Sequence, residues 1–384
     1  MTFFILKVYV KPPFEKYTFL KTTILNNFGR MNNALAPFSC KYTSQIPELL
    51  SRLNCSLAIS TYQAGKLIFI SANKDESLIQ LPRTFNKPMG IALDETGNKL
   101  ALATKDEILV FANSNDLATH YPKSPNKYDG LYLPRVTYHT GPLDIHDLSF
   151  GKDQRLFAVN TLFSSIVEID DSYNFKPYWT PPFIDKMVSE DRCHLNGMAL
   201  QNGLPKYATS FNKGNVTGSW KEHITTSGVL MDIESNETIL ESLGMPHSPR
   251  IFNNELYVLL SAKGELIKVN KEAGTYDVVT KVEGFVRGMD VHQDYLFIGL
   301  SKLRKNSSTF AKLDFADKAQ EAGILVVHLP TGSIAGKITY LTSLDEIYDI
   351  QVLPNKIRPN ILNTIKSDYK GSLMTPEDTF WAKT

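Results

Sequence analysis

Short apolar runs with little helical periodicity dominate the chain. Segments such as KLIFIS, KLALAT, RLFAVN, ELYVLL and YLFIGL are rich in β-branched and aromatic residues. Gly, Asn, Asp, Lys and Ser separate these runs, and such residues are typical of tight turns between antiparallel strands. The pattern therefore predicts an all-β fold built from many short strands.

One short segment recurs six times along the chain. Its copies are MGIAL (89–93), HDLSF (146–150), NGMAL (196–200), SPRIF (248–252), RGMDV (287–291) and YDIQV (348–352). Their second residues are separated by 57, 50, 52, 39 and 61 positions. Four strands in each period of about 40–60 residues is the unit of a β-propeller blade. The fourth copy fits least well, because Pro249 and Arg250 break its pattern.

The two ends of the chain predict how the ring of blades closes. Three strands near 56–81 precede the first copy without an inner strand of their own, and a Pro- and Asn-rich tail follows the last copy. We therefore expect a six-bladed β-propeller over residues 37–360, in which the inner strand 348–352 pairs with the amino-terminal strands. Residues 1–36 are expected to be a disordered extension or a mis-assigned start, and residues 361–384 a carboxyl-terminal tail. A double β-sandwich is the alternative architecture.

Composition narrows the classes of function. With 41 basic and 40 acidic side chains, the chain is not expected to bind nucleic acid or a membrane surface through its charge. Three widely spaced cysteines form neither a disulfide framework nor a Cys-x-x-Cys motif, which favours a reducing, cytoplasmic location. The apolar start MTFFILKVYV is interrupted at Lys7 and is too short for a transmembrane helix. A small-molecule ligand is therefore the expected partner, and a protein partner is left open.

Polar side chains cluster where the inner strands of such a propeller begin. In a closed ring these strands run the same way, so their first residues meet at one mouth of the central channel. Three of the eight histidines lie there in consecutive copies, His146, His194 and His247, although His247 is one residue out of step. The other polar residues expected at the mouth are Asp144, Asn196, Arg250, Arg287, Glu346, Tyr348 and Asp349.

Three interpretations of this ring stay open. In the first, the three histidines and Asp349 bind a divalent metal, because imidazoles and a carboxylate from separate strands can ligate Zn, Mn or Fe. In the second, the histidines are acid–base catalysts while Arg250 or Arg287 holds a carboxylate, phosphate or sulfate group. In the third, these side chains are structural and hydrogen-bond neighbouring blades.

A concave mouth with these residues predicts a hydrolase, lyase or transferase that acts on a small anionic or sugar-like substrate. Asp144, Asn196, Glu346 and Tyr348 would then contact the ligand beside the catalytic groups. The alternative is a non-catalytic propeller that binds a ligand or a protein, for which a flat apolar face is expected.

Several longer motifs resemble a bacterial family of conserved hypothetical proteins whose shared region is catalogued as a domain of unknown function. They occur in order over roughly residues 38–360 and include STYQAGKLIFI, LPRVTYHTGPLDIHDLSFG, EDRCHLNGMAL and EIYDIQVLP. The resemblance implies one propeller-like domain, often cytoplasmic. The six-blade interpretation is also similar to lactonase and strictosidine-synthase-like propellers, which hold a channel-mouth metal with Glu, Asn and Asp. This chain has histidines and arginines there, so their calcium site is not expected.

Overall fold

The computed structural model describes residues 35–303 and 319–382, together with the backbone of the short strand Tyr17–Phe19. Within these residues the repeats form a six-bladed β-propeller, as predicted. Each repeat segment lies in the first strand of a blade or just before it, and these inner strands are neighbours around the central channel. We number the blades 1–6 in the chain order of their inner strands. The extension predicted over residues 1–36 lies almost entirely outside the described residues.

Blades 1 to 3 each add four strands from the channel outward. In blade 1 the strands are Ile91–Leu93, Lys99–Ala103, Ile108–Asn113 and Gly130–Tyr138. In blade 2 they are Ile145–Phe150, Leu156–Asn160, Ser165–Glu168 and Lys176–Trp179. In blade 3 they are Leu195–Gln201, Leu204–Ser210, Gly228–Asp232 and Thr238–Leu243.

Blades 4 to 6 complete the ring. In blade 4 the strands are Pro246–Phe252, Glu255–Leu260, Glu265–Asn270 and Thr275–Lys281. In blade 5 they are Phe285–His292, Tyr295–Ser301, Ala322–His328 and Ser333–Tyr340, followed at the outer edge by Cys40–Thr43 and Tyr17–Phe19. In blade 6 they are Asp349–Pro354, Cys55–Thr61, Lys66–Asn73 and Ser77–Thr84.

Blade 6 joins the two ends of the propeller. Its inner strand, Asp349–Pro354, pairs antiparallel with Cys55–Thr61, with Asp349 opposite Ser60 and Pro354 opposite Cys55. This pairing confirms the predicted joint between the last inner strand and the amino-terminal strands. Because one ladder holds both ends, the ring cannot open without breaking it.

The segment after residue 354, expected to be a tail, forms further structure beside blade 1. Pro359–Ile361 adds a parallel strand to the outer edge of that blade, and the hairpin strands Ser372–Met374 and Thr379–Trp381 follow. The indole N–H of Trp381 donates to the carbonyl of Leu117, 3.1 Å away. The chain end therefore covers the outer edge of a blade that would otherwise expose an unpaired strand.

Helices are short in the described part of the chain. The α-helices are Ile46–Arg52 and Asn115–Thr119, and the 3₁₀ turns are Lys152–Gln154, Ser219–Lys221 and Ser367–Gly371. None of the helices in these residues is long and apolar enough to cross a membrane.

The hydrophobic core lies between the blades. Along Lys66–Asn73, Ile68 and Ile70 pack toward blade 5, whereas Leu67 and Phe69 pack toward blade 1. Successive side chains of a strand point to opposite faces, so a strand between two blades buries both sets. This explains why the strands read as continuous apolar runs rather than as an alternation of apolar and polar residues.

Neighbouring inner strands approach each other closely where three of them carry glycine. A Cβ on Gly90 would lie 3.1 Å from the Cα of Asp147, and one on Gly288 would lie 2.6 Å from the Cα of Asp349. A Cβ on Gly197 would lie 2.5 Å from the Cδ of the next copy's proline. In each case the two residues hold the second position of consecutive copies, so glycine alternates with a larger residue around the ring.

Three carboxylates each bond one inner strand to a neighbouring one, at the junctions of blades 2–3, 6–1 and 5–6. Asp147 of blade 2 accepts a hydrogen bond from the backbone N–H of Met198 in blade 3, at 3.1 Å. Asp349 of blade 6 accepts from Ile91 of blade 1 at 2.9 Å. Asp290 of blade 5 accepts in the same way from the backbone N–H of Val352 in blade 6, at 2.7 Å. Buried carboxyl groups thus connect these pairs of inner strands.

Replacing Gly288 with alanine tests the need for close approach. Gly288 has φ +70° and faces backbone, whereas Gly97 has φ +71° and open space at its Cβ position. We expect Gly288→Ala to lower the free energy of unfolding by about 3–5 kcal/mol and Gly97→Ala by about 1 kcal/mol. Urea unfolding of both variants measures the difference, and equal losses would contradict the proposed crowding.

Two carboxyl-terminal truncations test the closing ladder. Deletion of residues 363–384 removes the hairpin but keeps blade 6 whole, so we expect a cooperative melt at a lower Tm. Deletion of residues 345–384 also removes the inner strand of blade 6, so we expect no cooperative transition. Thermal melts followed by circular dichroism measure both proteins. A cooperative melt of the shorter protein would show that the ladder is dispensable.

Candidate functional site

A cavity of about 250 Å³ lies where the inner strands begin, and we call it the mouth cavity. Among the residues that the sequence predicted at the mouth, those lining the cavity are Asp144, His146, His194, His247, Arg287, Glu346 and Tyr348. Aromatic side chains complete much of its wall, namely Tyr62, Phe211, Trp220 and Phe285. The cavity therefore combines titratable groups from blades 2 to 6 with apolar surfaces.

Arg250, predicted as a possible anion-binding residue, lies outside the cavity lining. Its guanidinium forms a bidentate ion pair with the carboxylate of Asp147, at 2.8 and 2.9 Å, and its Nη1 also donates to the carbonyl of Met198. A bulge separates it from His247 on the inner strand of blade 4, three residues earlier. Because its donors are engaged by the neighbouring blades, Arg250 fits the structural interpretation.

Asp349 and Asn196 also lie outside the cavity lining. Besides its bond from blade 1, the Asp349 carboxylate accepts from the N–H of Ile350 at 2.9 Å, and burial raises its pKa to about 7. Asn196 accepts a hydrogen bond from the hydroxyl of Thr209, at 2.8 Å. Both side chains therefore have protein partners in or next to the inner strands.

His146 is a buried, neutral member of the cavity. Its Nδ1 lies 3.0 Å from the backbone carbonyl oxygen of Asp144, so Nδ1 carries the proton and donates it there. The side chain is 7% exposed, and its ring stands edge-on to that of His194, with centroids 4.8 Å apart. Burial lowers the pKa of His146 to about 4, against the opposing effect of the Asp144 carboxylate. At neutral pH its Nε2 is therefore an acceptor.

His194 is oriented by a carboxylate. Its Nδ1 lies 3.0 Å from Oδ2 of Asp191, and the same oxygen accepts a hydrogen bond from the indole N–H of Trp220 at 3.1 Å. The His194 ring packs against Trp220 and Phe211, with centroids 4.2 and 4.6 Å away. Asp191 therefore fixes both the tautomer and the plane of the imidazole, with Nε2 left as the second nitrogen.

His247 is the most enclosed of the three histidines. Its Nδ1 lies 3.1 Å from the carbonyl oxygen of Met245 and 2.7 Å from the hydroxyl oxygen of Ser261. Burial, together with the positive charge of Arg287, holds the pKa of His247 well below its ordinary value. Like His146, it is a neutral ring whose proton is on Nδ1.

Arg287 and Tyr348 form the cationic side of the cavity. The guanidinium carbon of Arg287 lies 3.5 Å from the centroid of the Tyr348 ring. Among the described residues, neither Nη2 of Arg287 nor the hydroxyl of Tyr348 has a hydrogen-bond partner, although both atoms are buried. Burial raises the pKa of Tyr348 well above its ordinary value, so the hydroxyl keeps its proton. Each of these two neighbouring residues of the cavity lining thus carries a buried donor.

The residues predicted as metal ligands are not assembled into a ligand group. Within the part of the chain that the structure describes, no group of three His, Cys, Asp or Glu side chains is arranged to hold a metal ion. His146 and His194 meet edge to face, and Asp349 is bonded to blade 1. In this structure His146, His194, His247 and Asp349 therefore do not form such a group.

Sequence reasoning missed the residues that reach the cavity from outside the inner strands. Asp191 stands three residues before His194 in EDRCHL, so its acidic side chain was a usable signal. Phe211 directly follows the second strand of blade 3, and Trp220 belongs to a 3₁₀ turn in the long connection after it. Their positions depend on tertiary packing of a connection, which the repeat pattern does not describe.

Comparison with known proteins identifies a family and a fold. A family model described as Domain of unknown function (DUF4915) matches residues 44–362. No protein with a curated description matches the chain. A solved chain of the nidogen/laminin complex is similar with a TM-score of 0.52 and 10% identity, over 78% of this chain and 99% of that one. A protein of unknown function from Bacteroides caccae has a TM-score of 0.48 and 8% identity, over 78% and 98%. The nidogen/laminin likeness shows the fold alone.

The buried, neutral state of His146 predicts a pH-dependent difference in stability. An unfolded histidine binds a proton below about pH 6.5, whereas folded His146 does so only near pH 4, so this residue opposes folding as the pH falls between those values. The carboxyls of Asp349 and Asp290 titrate in the same window, so we compare proteins that share them. Relative to the wild type, His146→Phe should gain about 3 kcal/mol between pH 7 and pH 4. Urea unfolding at both pH values measures this, and a constant difference would contradict the neutral state.

Proposed function

The chain belongs to the DUF4915 family, a domain of unknown function, and we propose that this member is an enzyme acting on a small anionic substrate in the mouth cavity. The observation that carries the proposal is the pairing of two buried, unpartnered donors, on Arg287 and Tyr348, with a carboxylate-oriented histidine in one cavity. Such convergence of polar groups in a concave site is typical of substrate pockets.

Arg287 supplies the charge that selects an anion. A buried donor without a partner costs about 1–3 kcal/mol, and an anionic oxygen within reach of Nη2 and the Tyr348 hydroxyl removes that cost for both groups. Arginine remains charged at every relevant pH and matches the planar geometry of a carboxylate. Arg250 and Arg192 are already paired with carboxylates, so Arg287 is the better candidate for binding an anionic substrate.

His194 supplies the base. Its Nδ1–H is held by Asp191, so Nε2 has the lone pair that can accept a proton from the substrate. The proton moves from a substrate oxygen or carbon to Nε2, and the imidazolium that results lies beside the Asp191 carboxylate. The same group can return the proton to a leaving atom. Proton transfer of this kind is common to the hydrolase, lyase and transferase reactions that the sequence predicts.

The aromatic contacts of His194 support a defined orientation of this base. Trp220 covers one side of the ring at 4.2 Å, and its N–H holds the same carboxylate oxygen that holds His194. A base that is fixed in rotation and tautomer pays less entropy when the substrate binds. The alternative function, a non-catalytic ligand-binding propeller, uses the same anion contacts but does not need the Asp191–His194 pair.

Anion binding through Arg287 is tested with defined probes. We expect at least one of acetate, pyruvate, inorganic phosphate and sulfate to raise the Tm of the wild type, and Arg287→Met to weaken that binding by about 10- to 100-fold. Arg52→Met is the matched control, because Arg52 is an exposed residue that donates to Tyr295 far from the cavity. Thermal shift titrations at fixed ionic strength measure all three proteins.

Equal stabilisation of the wild type and Arg287→Met by the same anion would contradict the proposal. Binding that depends on Arg287 but is accompanied by no turnover of any hydroxy acid or ester would favour the non-catalytic alternative. In the catalytic case, Asp191→Asn should lower kcat much more than it raises KM, because it disturbs the tautomer of His194 and leaves Arg287 in place.

A further inference from the structure

We infer that the substrate is a polyhydroxylated carboxylate, a molecule of the sugar-acid class, with its carboxylate on Arg287 and Tyr348 and its hydroxyl groups on the histidines. This inference rests on the proposed function of the mouth cavity and names the class of molecule that fits it. It follows from the presence in one cavity of groups that donate hydrogen bonds and groups that accept them.

The three histidines present the same kind of atom to an occupant. In each ring Nδ1 is held by a protein acceptor, at 3.0 Å from the Asp144 carbonyl for His146 and at 3.1 Å from the Met245 carbonyl for His247. For His194 the acceptor is a carboxylate. A carbonyl or carboxylate oxygen cannot donate, so the proton must be on Nδ1 in all three. Among the described residues, no hydrogen bond engages their Nε2 atoms, and all three rings line the cavity.

Two of these rings do not readily take up a second proton when a ligand binds. Burial keeps the pKa of His146 near 4 and that of His247 well below its ordinary range, so both remain neutral around pH 7. Among their charged neighbours, Asp144 raises the pKa of His146, whereas Arg287 lowers the pKa of both rings. Their Nε2 atoms are therefore acceptors, and a favourable occupant must bring hydroxyl or N–H donors to meet them.

Arg287 and Tyr348 require the reverse chemistry. Nη2 of Arg287 and the hydroxyl of Tyr348 are donors, and both are buried without a partner in the described residues. A simple anion such as sulfate would satisfy these two donors but would place lone pairs against the histidine nitrogens. A polyol without charge would satisfy the histidines but bring no anionic oxygen to Arg287, whose acidic neighbours in the cavity lining are Asp144 and Glu346. A molecule with an anionic end and several hydroxyl groups matches both the donors and the acceptors.

Size and apolar surface narrow the class further. The volume of about 250 Å³ lies below the range of about 300–1,000 Å³ that is usual for drug-sized ligands, so it fits a monosaccharide-sized molecule better than an oligosaccharide. Phe211, Trp220 and Phe285 provide an apolar side on which the carbon skeleton of such a molecule can pack. A chain or ring of about six carbons with one carboxylate meets these limits.

The test compares sugar acids with carboxylates that lack the hydroxyl groups. Calorimetric titrations use D-gluconate and D-galactonate against hexanoate, and D-glucuronate and D-galacturonate against cyclohexanecarboxylate. We expect at least one sugar acid to bind the wild type about 10- to 100-fold more tightly than its hydroxyl-free partner, because unmatched buried acceptors reject the latter. In His146→Phe and in His247→Phe, which keep an aromatic ring, that ratio should fall toward one. His139→Gln, at an exposed histidine that pairs with Glu107, is the matched control.

The outcomes separate this inference from the proposed function. Equal binding of both members of every pair, with loss of both in Arg287→Met, overturns the sugar-acid inference and leaves the anion site standing. No binding of any carboxylate overturns both. If one phenylalanine variant fails to melt cooperatively, the other variant and the ratio measured on the wild type still decide the question. A ratio that survives in both folded phenylalanine variants also overturns the inference, since the histidines would then not read the hydroxyl groups.

Discussion

The close contact between the inner strands of successive blades determines where every residue of the mouth lies. Gly90, Gly197 and Gly288 allow close approach at the junctions of blades 1–2, 3–4 and 5–6, and the carboxylates of Asp147 and Asp349 accept N–H groups across the junctions 2–3 and 6–1. Ionised carboxylates are costly to bury, and burial raises the pKa of Asp349 accordingly. The cost is offset by hydrogen bonds that only the closed ring provides. The contacts that close the ring therefore also fix the positions of the cavity residues.

Hydroxyl groups at the ends of the second strands reinforce the same contacts. Thr161 donates to the carbonyl of Leu195 at 2.6 Å, and Ser301 donates to that of Ile347 at 3.1 Å, each in the next blade. Polar groups of the channel thus fall into two sets. One set is bonded to the backbone of a neighbouring blade and stabilises the ring. The other set, which includes the Arg287 and Tyr348 donors, lies in the lining of the mouth cavity. Only the second set has hydrogen-bonding capacity left for a ligand.

The repeat pattern predicted the blades and their closure because each inner strand obeys the same packing rule, and six copies of that rule are visible in the sequence. It also predicted that polar residues would gather where the inner strands begin. His247 reaches the cavity despite its shifted position in the repeat, because a bulge before Arg250 changes the register of its strand. It could not separate Arg250 from Arg287, since which arginine meets Asp147 depends on contact between blades. Asp191 and Trp220 escaped prediction because connections outside the repeat bring them to His194.

In two of the blades, an unusual backbone conformation determines which nitrogen of the histidine is the acceptor. Asp144 and Met245 stand directly before the inner strands of blades 2 and 4 with φ of 54° and 50°, in the left-handed region that non-glycine residues rarely adopt. In both blades the carbonyl of this residue accepts the Nδ1–H of the histidine two positions later. The left-handed turn costs about 1–2 kcal/mol for a residue such as Met245, and the neighbouring strands hold it in place. In return, the same local arrangement at two separate blades fixes the histidine tautomer and leaves Nε2 unbonded. The same left-handed turn precedes the inner strand of blade 3, where His194 has a φ of 51° and its carbonyl accepts a hydrogen bond from the side-chain amide of Asn196. The turn is therefore a feature of how these inner strands begin, and the residue two positions later decides whether it orients an imidazole or an amide.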